Sequence, residues 1–179
     1  MPTNTIISAH FLSNLVTSDN FLSSSPVKDP ALLFPLFGEK LSRSIAAFNK
    51  KYPGIEVVFV ETYRSNTLQL IHYNNGASKI KKDGMHHFGI AADLAFKING
   101  VFSYKGDYTY LRQCHANQGL NLIGAWDIGH VQYIPVSEQS ALRLTVNNAV
   151  IKFQKFYDLK PDGIIGSKTI AKAKEIFLK

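Results

Sequence analysis

Gly84-Met85-His86-His87-Phe88-Gly89-Ile90-Ala91-Ala92-Asp93-Leu94 gathers imidazole, carboxylate and a close-packing glycine within eleven residues. Gly89 offers a short turn, and the apolar residues after it predict a strand through Ala91 to Leu94. His86 and Asp93 stand seven positions apart with small residues between them, so turn and strand can bring both side chains to one point. That is half of a metal site. A third ligand has to come from elsewhere. The best candidate lies in Trp126-Asp127-Ile128-Gly129-His130-Val131-Gln132-Tyr133, where His130 follows His86 by 44 positions and Asp127 by three.

Two histidines and one carboxylate, with a water in the fourth position, suit catalytic zinc, which lowers the pKa of that water to about 7. A further carboxylate is then needed to take the proton. Asp127 can do so without being a ligand if a strand runs from Asp127 to Gln132, because alternation separates it from His130 while leaving both near one end. A single histidine is more often a surface or satisfied core residue than a ligand. The joint pattern carries the reading.

These residues resemble the zinc peptidases that include D-Ala-D-Ala carboxypeptidases and the L-alanoyl-D-glutamate endopeptidases of phage endolysins, a group sharing its core fold with the Hedgehog signalling domain. The family pattern is Ser-x-His-x-x-Gly-x-Ala-x-Asp followed by Asp or Glu-x-x-His. His86, Gly89, Ala91 and Asp93 match its first part, Asp127 and His130 its second. Glu61-Thr62-Tyr63-Arg64-Ser65 looks like the family's Tyr-Arg-Ser strand end. Gly84 stands where the family usually has serine, and Gly129 where many members have proline. The resemblance implies Zn2+ held by His86, Asp93 and His130, Asp127 as general base, and Arg64 adding positive charge near a developing oxyanion.

Composition bounds the rest. With 179 residues, 45% of them hydrophobic, 12 Phe and 8 Tyr, the chain is long and apolar enough for a packed core. One cysteine, Cys114, excludes an intramolecular disulfide framework. No apolar run approaches the roughly 18 residues of a transmembrane helix, so stable membrane insertion is not expected. Met1 to Leu15 has no basic residue ahead of its mildly apolar stretch and fails as a secretory signal. The expected localisation is synthesis in the cytoplasm without a signal peptide, then action on the cell wall after release or export; a monomer is expected.

Along the chain, the apolar spacing predicts a short helix near His10 to Val16, with His10 exposed. A longer helix is predicted from an Asp29 cap and Pro30 to about Lys51, on Leu33, Leu36, Phe37, Leu41, Ile45 and Phe48. Ile55 to Thr62 reads as a buried strand delivering Arg64, and Thr67 to Asn74 as a helix closed by Asn75-Gly76. The strand through Asp93 should run to Ile98 and return at Asn99-Gly100, a type I′ hairpin signal, into Val101 to Tyr104. Asp107 to Gly119 reads as a helix, and Leu120 to Ile123 and Asp127 to Ile134 as strands. The sum is an α+β fold with a mainly antiparallel sheet and flanking helices, the class the resemblance also implies.

Pro135 to Ser140 reads as a linker, dividing the chain into a catalytic domain at 1–136 and a small helical domain at 141–179. Residues 140–179 carry eight Lys and Arg against three Asp and Glu, +5 of the formal net charge of +7, so an anionic partner is expected. Helical spacing through Val146, Val150 and Phe153, a turn at Pro161-Asp162-Gly163, and a last helix capped by Ser167 complete it. Phe153-Gln154 with Asp162-Gly163-x-x-Gly166-x-x-Thr169 resembles the peptidoglycan-binding module. The two resemblances imply one substrate, bacterial peptidoglycan, cut in its peptide stems by a zinc peptidase of phage or prophage endolysin type. A D-Ala-D-Ala carboxypeptidase, an exported wall effector and a non-catalytic wall-binding protein are the alternatives. No recognised motif accompanies the charge that would indicate nucleic acid.

Overall fold

The computed structural model describes residues 3–179. Helix α1 (Thr3–His10) passes into a π-helical turn at Phe11–Leu15, with Phe11, Leu12 and Leu15 buried. His10 is buried, not exposed: Asn14 donates to its Nδ1 at 2.7 Å, which leaves Nε2 to donate to the Leu32 carbonyl, 3.4 Å away. The long helix predicted from Pro30 is split. Asp29 caps a 3-10 turn at Pro30–Leu32, but the chain extends at Leu33 and α2 spans Pro35–Lys51. Pro35 is the cause, since the residue before a proline is driven out of the helical region.

A four-stranded antiparallel sheet follows, with β2 (Ala91–Ile98) at its centre. Strand β1 (Ile55–Glu61) pairs along β2 from Ile55 opposite Ile98 to Glu61 opposite Asp93. Strand β1 lies at the edge of the sheet, and its apolar run is only partly buried. Between them in sequence come α3 (Asn66–Asn74), capped by Ser65, and a 3-10 turn at Met85–Phe88. The hairpin at Asn99-Gly100 forms with φ of 51° and 80° and leads into β3 (Val101–Ser103). Asp107 caps α4 (Tyr108–Asn117) by accepting from the Tyr110 amide.

The last two predicted strands are much reduced. Strand β4 is His130–Gln132 alone, paired with Ala91–Asp93, and Leu120 to Ile123 contributes one bridge, Asn121 to Gln132. Asp127 therefore sits on the turn before β4. Helices α2 and α4 cover the sheet, where Phe48 meets Phe96 at 5.4 Å between ring centres.

The residues read as a linker are ordered, with a 3-10 turn at Val136–Glu138 running into α5 (Gln139–Phe156). The cap of α6 (Ser167–Phe177) is Gly166; Ser167 is its first helical residue. Gln154 organises the turn between them, accepting from the Gly163 amide at 2.9 Å and donating to the Ile164 carbonyl at 2.9 Å and to Thr169 at 3.2 Å. Leu142, Val146, Val150, Phe153 and Ala173 belong to the same apolar core as Ile7, Leu15 and Val131. Among the described residues no helix is long and apolar enough to cross a membrane.

Candidate metal centre

Strand register builds the site. Asp93 on β2 stands opposite Glu61 on β1 and opposite His130 on β4, so three polar residues form one row across the sheet. His86 joins from the 3-10 turn. That turn ends at Gly89, whose φ of 66° suits glycine and where a Cβ would lie 2.5 Å from the Leu32 carbonyl oxygen.

One ligand atom each from His86, Asp93 and His130 lies within 4.8 Å of the others. Two imidazoles converge on a single carboxylate oxygen: Asp93 Oδ1 is 3.3 Å from His86 Nε2 and 2.9 Å from His130 Nδ1. Burial opposes the charge on Asp93, but the two histidines outweigh it and hold this carboxyl well below the usual carboxylate range.

Gln132 fixes the proton on His130. Its Nε2 donates to the Ile134 carbonyl at 2.6 Å, so Oε1 faces His130 Nε2 at 3.3 Å and accepts from it. A neutral His130 then turns the lone pair of Nδ1 toward Asp93 Oδ1. Two lone pairs at that distance require a cation or a second proton between them. His86 Nδ1 is buried with no hydrogen-bond partner among the described residues. The donor set is thus compatible with a divalent metal of zinc type.

Arg64 lies against the outer side of Asp93. Its Nη2 is 3.5 Å from Asp93 Oδ2, its Nε donates to Glu61 Oε2 at 2.8 Å, and Nη2 bonds the same oxygen. Glu61 is 3% exposed, and its second oxygen has no partner among the described residues. Gln69 Oε1 accepts from Arg64 Nη1 at 3.3 Å. Gly84, where the resemblance has serine, makes room for that amide: a Cβ there would lie 3.1 Å from Gln69 Oε1.

Asp127 is close enough to feel the centre electrostatically. Burial pushes its carboxyl up, the Asp93 charge adds to the rise, and His130, His86 and Arg64 oppose it. Arg112 on α4 holds its loop, donating to the Ile123 carbonyl at 2.7 Å and to the Asp127 carbonyl at 3.4 Å. Gly129 lets the loop pass close to β2, since a Cβ there would meet the Leu94 carbonyl oxygen at 2.7 Å.

His87 is turned away from the cluster. Asn66 donates to its Nε2 at 3.3 Å, and its Nδ1 donates to the Arg64 carbonyl at 3.2 Å. Burial lowers its pKa to about 4. The 3-10 turn at Met85–Phe88 sends His86 and His87 in different directions. Glu61, Gln69, Arg112 and Gln132 went unrecognised in the sequence. Only Glu61 left a signal, a carboxylate closing an apolar strand three residues before an arginine.

Residues 131–172 match the family described as "Putative peptidoglycan binding domain". No curated protein matches the chain. Among solved structures, the crystal structure of Serratia marcescens L-Ala D-Glu endopeptidase ChiX aligns at 20% identity over 65% of this chain and 96% of that one, with a TM-score of 0.45.

Proposed function

We propose that the chain is a zinc-dependent peptidase that hydrolyses the peptide stems of bacterial peptidoglycan, an L-alanoyl-D-glutamate endopeptidase of phage or prophage endolysin type. The observation that carries the reading is the convergence of His86, Asp93 and His130 to within 4.8 Å of one another, in a chain whose residues 131–172 match a wall-binding family. The division is catalytic at 1–136 and wall-binding at 141–179, two parts sharing one core. Action on the wall after release or export, as a monomer, belongs to the same proposal.

His86, Asp93 and His130 would hold a zinc ion, which would supply Lewis acidity for acidifying a water and polarising a carbonyl. Asp127 takes the proton from the attacking water and returns it to the leaving amine. Its half-buried setting raises its proton affinity, which makes it a stronger base toward the water than an ordinary surface carboxylate. Arg64 neutralises Glu61, steadies the outer oxygen of Asp93 and contributes positive charge where the carbonyl oxygen gains negative charge.

Mass spectrometry of purified sacculi digested by the metal-replete protein tests this. New amino-terminal D-glutamate is the expected product, and Asp127→Ala should not yield it. Release of free D-alanine instead would make the enzyme a carboxypeptidase, while intact stems would overturn the peptidase reading.

A further inference from the structure

Helix α5 reaches the candidate metal centre from two directions. Gln139, its first residue, donates Nε2 to Gln132 Oε1 at 3.2 Å, the same oxygen that faces His130 Nε2. Arg143, one turn later, donates Nε to the Asp83 carbonyl at 2.9 Å and Nη2 to Gln139 Oε1 at 3.3 Å. Asp83 immediately precedes Gly84, the residue that opens the turn carrying His86, and it holds a left-handed φ of 56°. A non-glycine residue keeps that conformation only when its surroundings hold it there. Asn66 supplies part of the restraint, accepting from the Asp83 amide at 2.7 Å and donating to its carboxylate at 2.8 Å. Arg143 supplies the rest from across the molecule.

We propose that Gln139 and Arg143 are positioning residues of the metal site, acting through Gln132 on His130 and through Asp83 on His86. The inference rests on the metal-site reading above. Gln139 helps hold the Gln132 amide in the one orientation that keeps the His130 proton on Nε2 and leaves Nδ1 free to ligate. Arg143 links the Gln139 amide to the arm bearing His86, so both histidines are set by one helix turn. Both residues lie within the stretch matched to the wall-binding family. The first helix of that module is therefore a component of the metal centre as well as an anchor.

The test uses the full-length protein. Zinc affinity by chelator competition and the visible spectrum of the cobalt-substituted protein are measured for Gln139→Ala, Arg143→Ala and Arg143→Lys, with Asn148→Ala on the exposed side of α5 as control. Loss of a partner to a ligating histidine weakens metal binding by about 10- to 100-fold. Gln139 and Arg143 act one contact further out, so both alanine variants should show a loss at the lower end of that range, about 10-fold, and a changed cobalt spectrum. Arg143→Lys, which can reach one of the two oxygens, should fall between them and the wild type, and Asn148→Ala should match the wild type. Near-ultraviolet circular dichroism in chelator checks folding; where an alanine variant unfolds, Gln139→Asn or Arg143→Lys takes its place, with a smaller but measurable loss expected. Wild-type affinity and an unchanged cobalt spectrum in the folded variants would overturn the positioning role alone. A wild-type protein that holds no zinc would overturn the metal-site reading and this inference with it.

Discussion

Asp93 meets three side chains of the centre, His86 and His130 on one oxygen and Arg64 on the other. If it is a ligand, His86→Ala, Asp93→Ala and His130→Ala should each abolish stoichiometric zinc by elemental analysis. Asp127→Ala should keep the zinc and lose about 100- to 10,000-fold in turnover, the usual contribution of a general base. Metal loss in that variant would make Asp127 a ligand. Arg64→Ala should cost on the order of 3 kcal/mol in urea unfolding, because it leaves Glu61 buried without its partner. Adding Glu61→Gln should restore part of that stability; no recovery would show that Arg64 stabilises by other contacts. The grouping of His86, Asp93 and His130 was legible in the sequence because two of them are local to one turn and strand, and the third stands three residues after a second carboxylate. Glu61 and Gln132 were not, because only strand register and a side-chain amide bring them to the centre.

Helix and strand identities were legible wherever local chemistry decides them. Asn99-Gly100, Asp107 and Asn75-Gly76 mark their turn or helix end as read. The reading failed where a neighbour's geometry overrides periodicity, as at Pro35, and where apolar residues pack without pairing, as around Leu120 to Ile123. Gly89→Ala probes the turn that carries His86. The left-handed backbone alone costs an alanine roughly 1–2 kcal/mol, and the clash with the Leu32 carbonyl adds to it. Lower stability and weaker zinc binding should appear together, and unchanged values would show that the turn adapts. Between α2 and α4, Ser44 donates to the Leu41 carbonyl and accepts from His115 Nδ1 at 2.7 Å. Burial lowers the His115 pKa to about 4 from an ordinary 6.5. The unfolded chain thus binds this proton first, so the stability is fully present above pH 6.5 and is lost as pH falls toward 4. In chelator, urea midpoints should drop across that window, and His115→Gln should make the drop shallower, with buried His87, whose pKa is also lowered to about 4, supplying part of what remains.

Packing across the length of the chain was the least legible, because apolar spacing shows which face of a helix is buried and not what buries it. Pro135 to Ser140 reads as a linker to a small separate domain, yet Leu142, Val146 and Val150 share a core with Ile7 and Leu15. Ending the chain after residue 138 should therefore lower the unfolding midpoint and weaken zinc binding, besides reducing retention on sacculi. Unchanged stability and zinc affinity in the shortened protein would show that the shared core contributes little.

Strand β2 is paired on both edges at Asp93, to a residue 32 positions earlier on one side and 37 later on the other. The row of Glu61, Asp93 and His130 closes only after both long-range pairings have formed, which are slow steps for a folding chain. Zinc can then recognise little short of the finished sheet. In a chevron experiment it should slow the unfolding limb while leaving the refolding limb nearly unchanged. The ion would act as a lock set after folding, and the lifetime of the folded protein, more than the speed of its formation, would follow the metal supply.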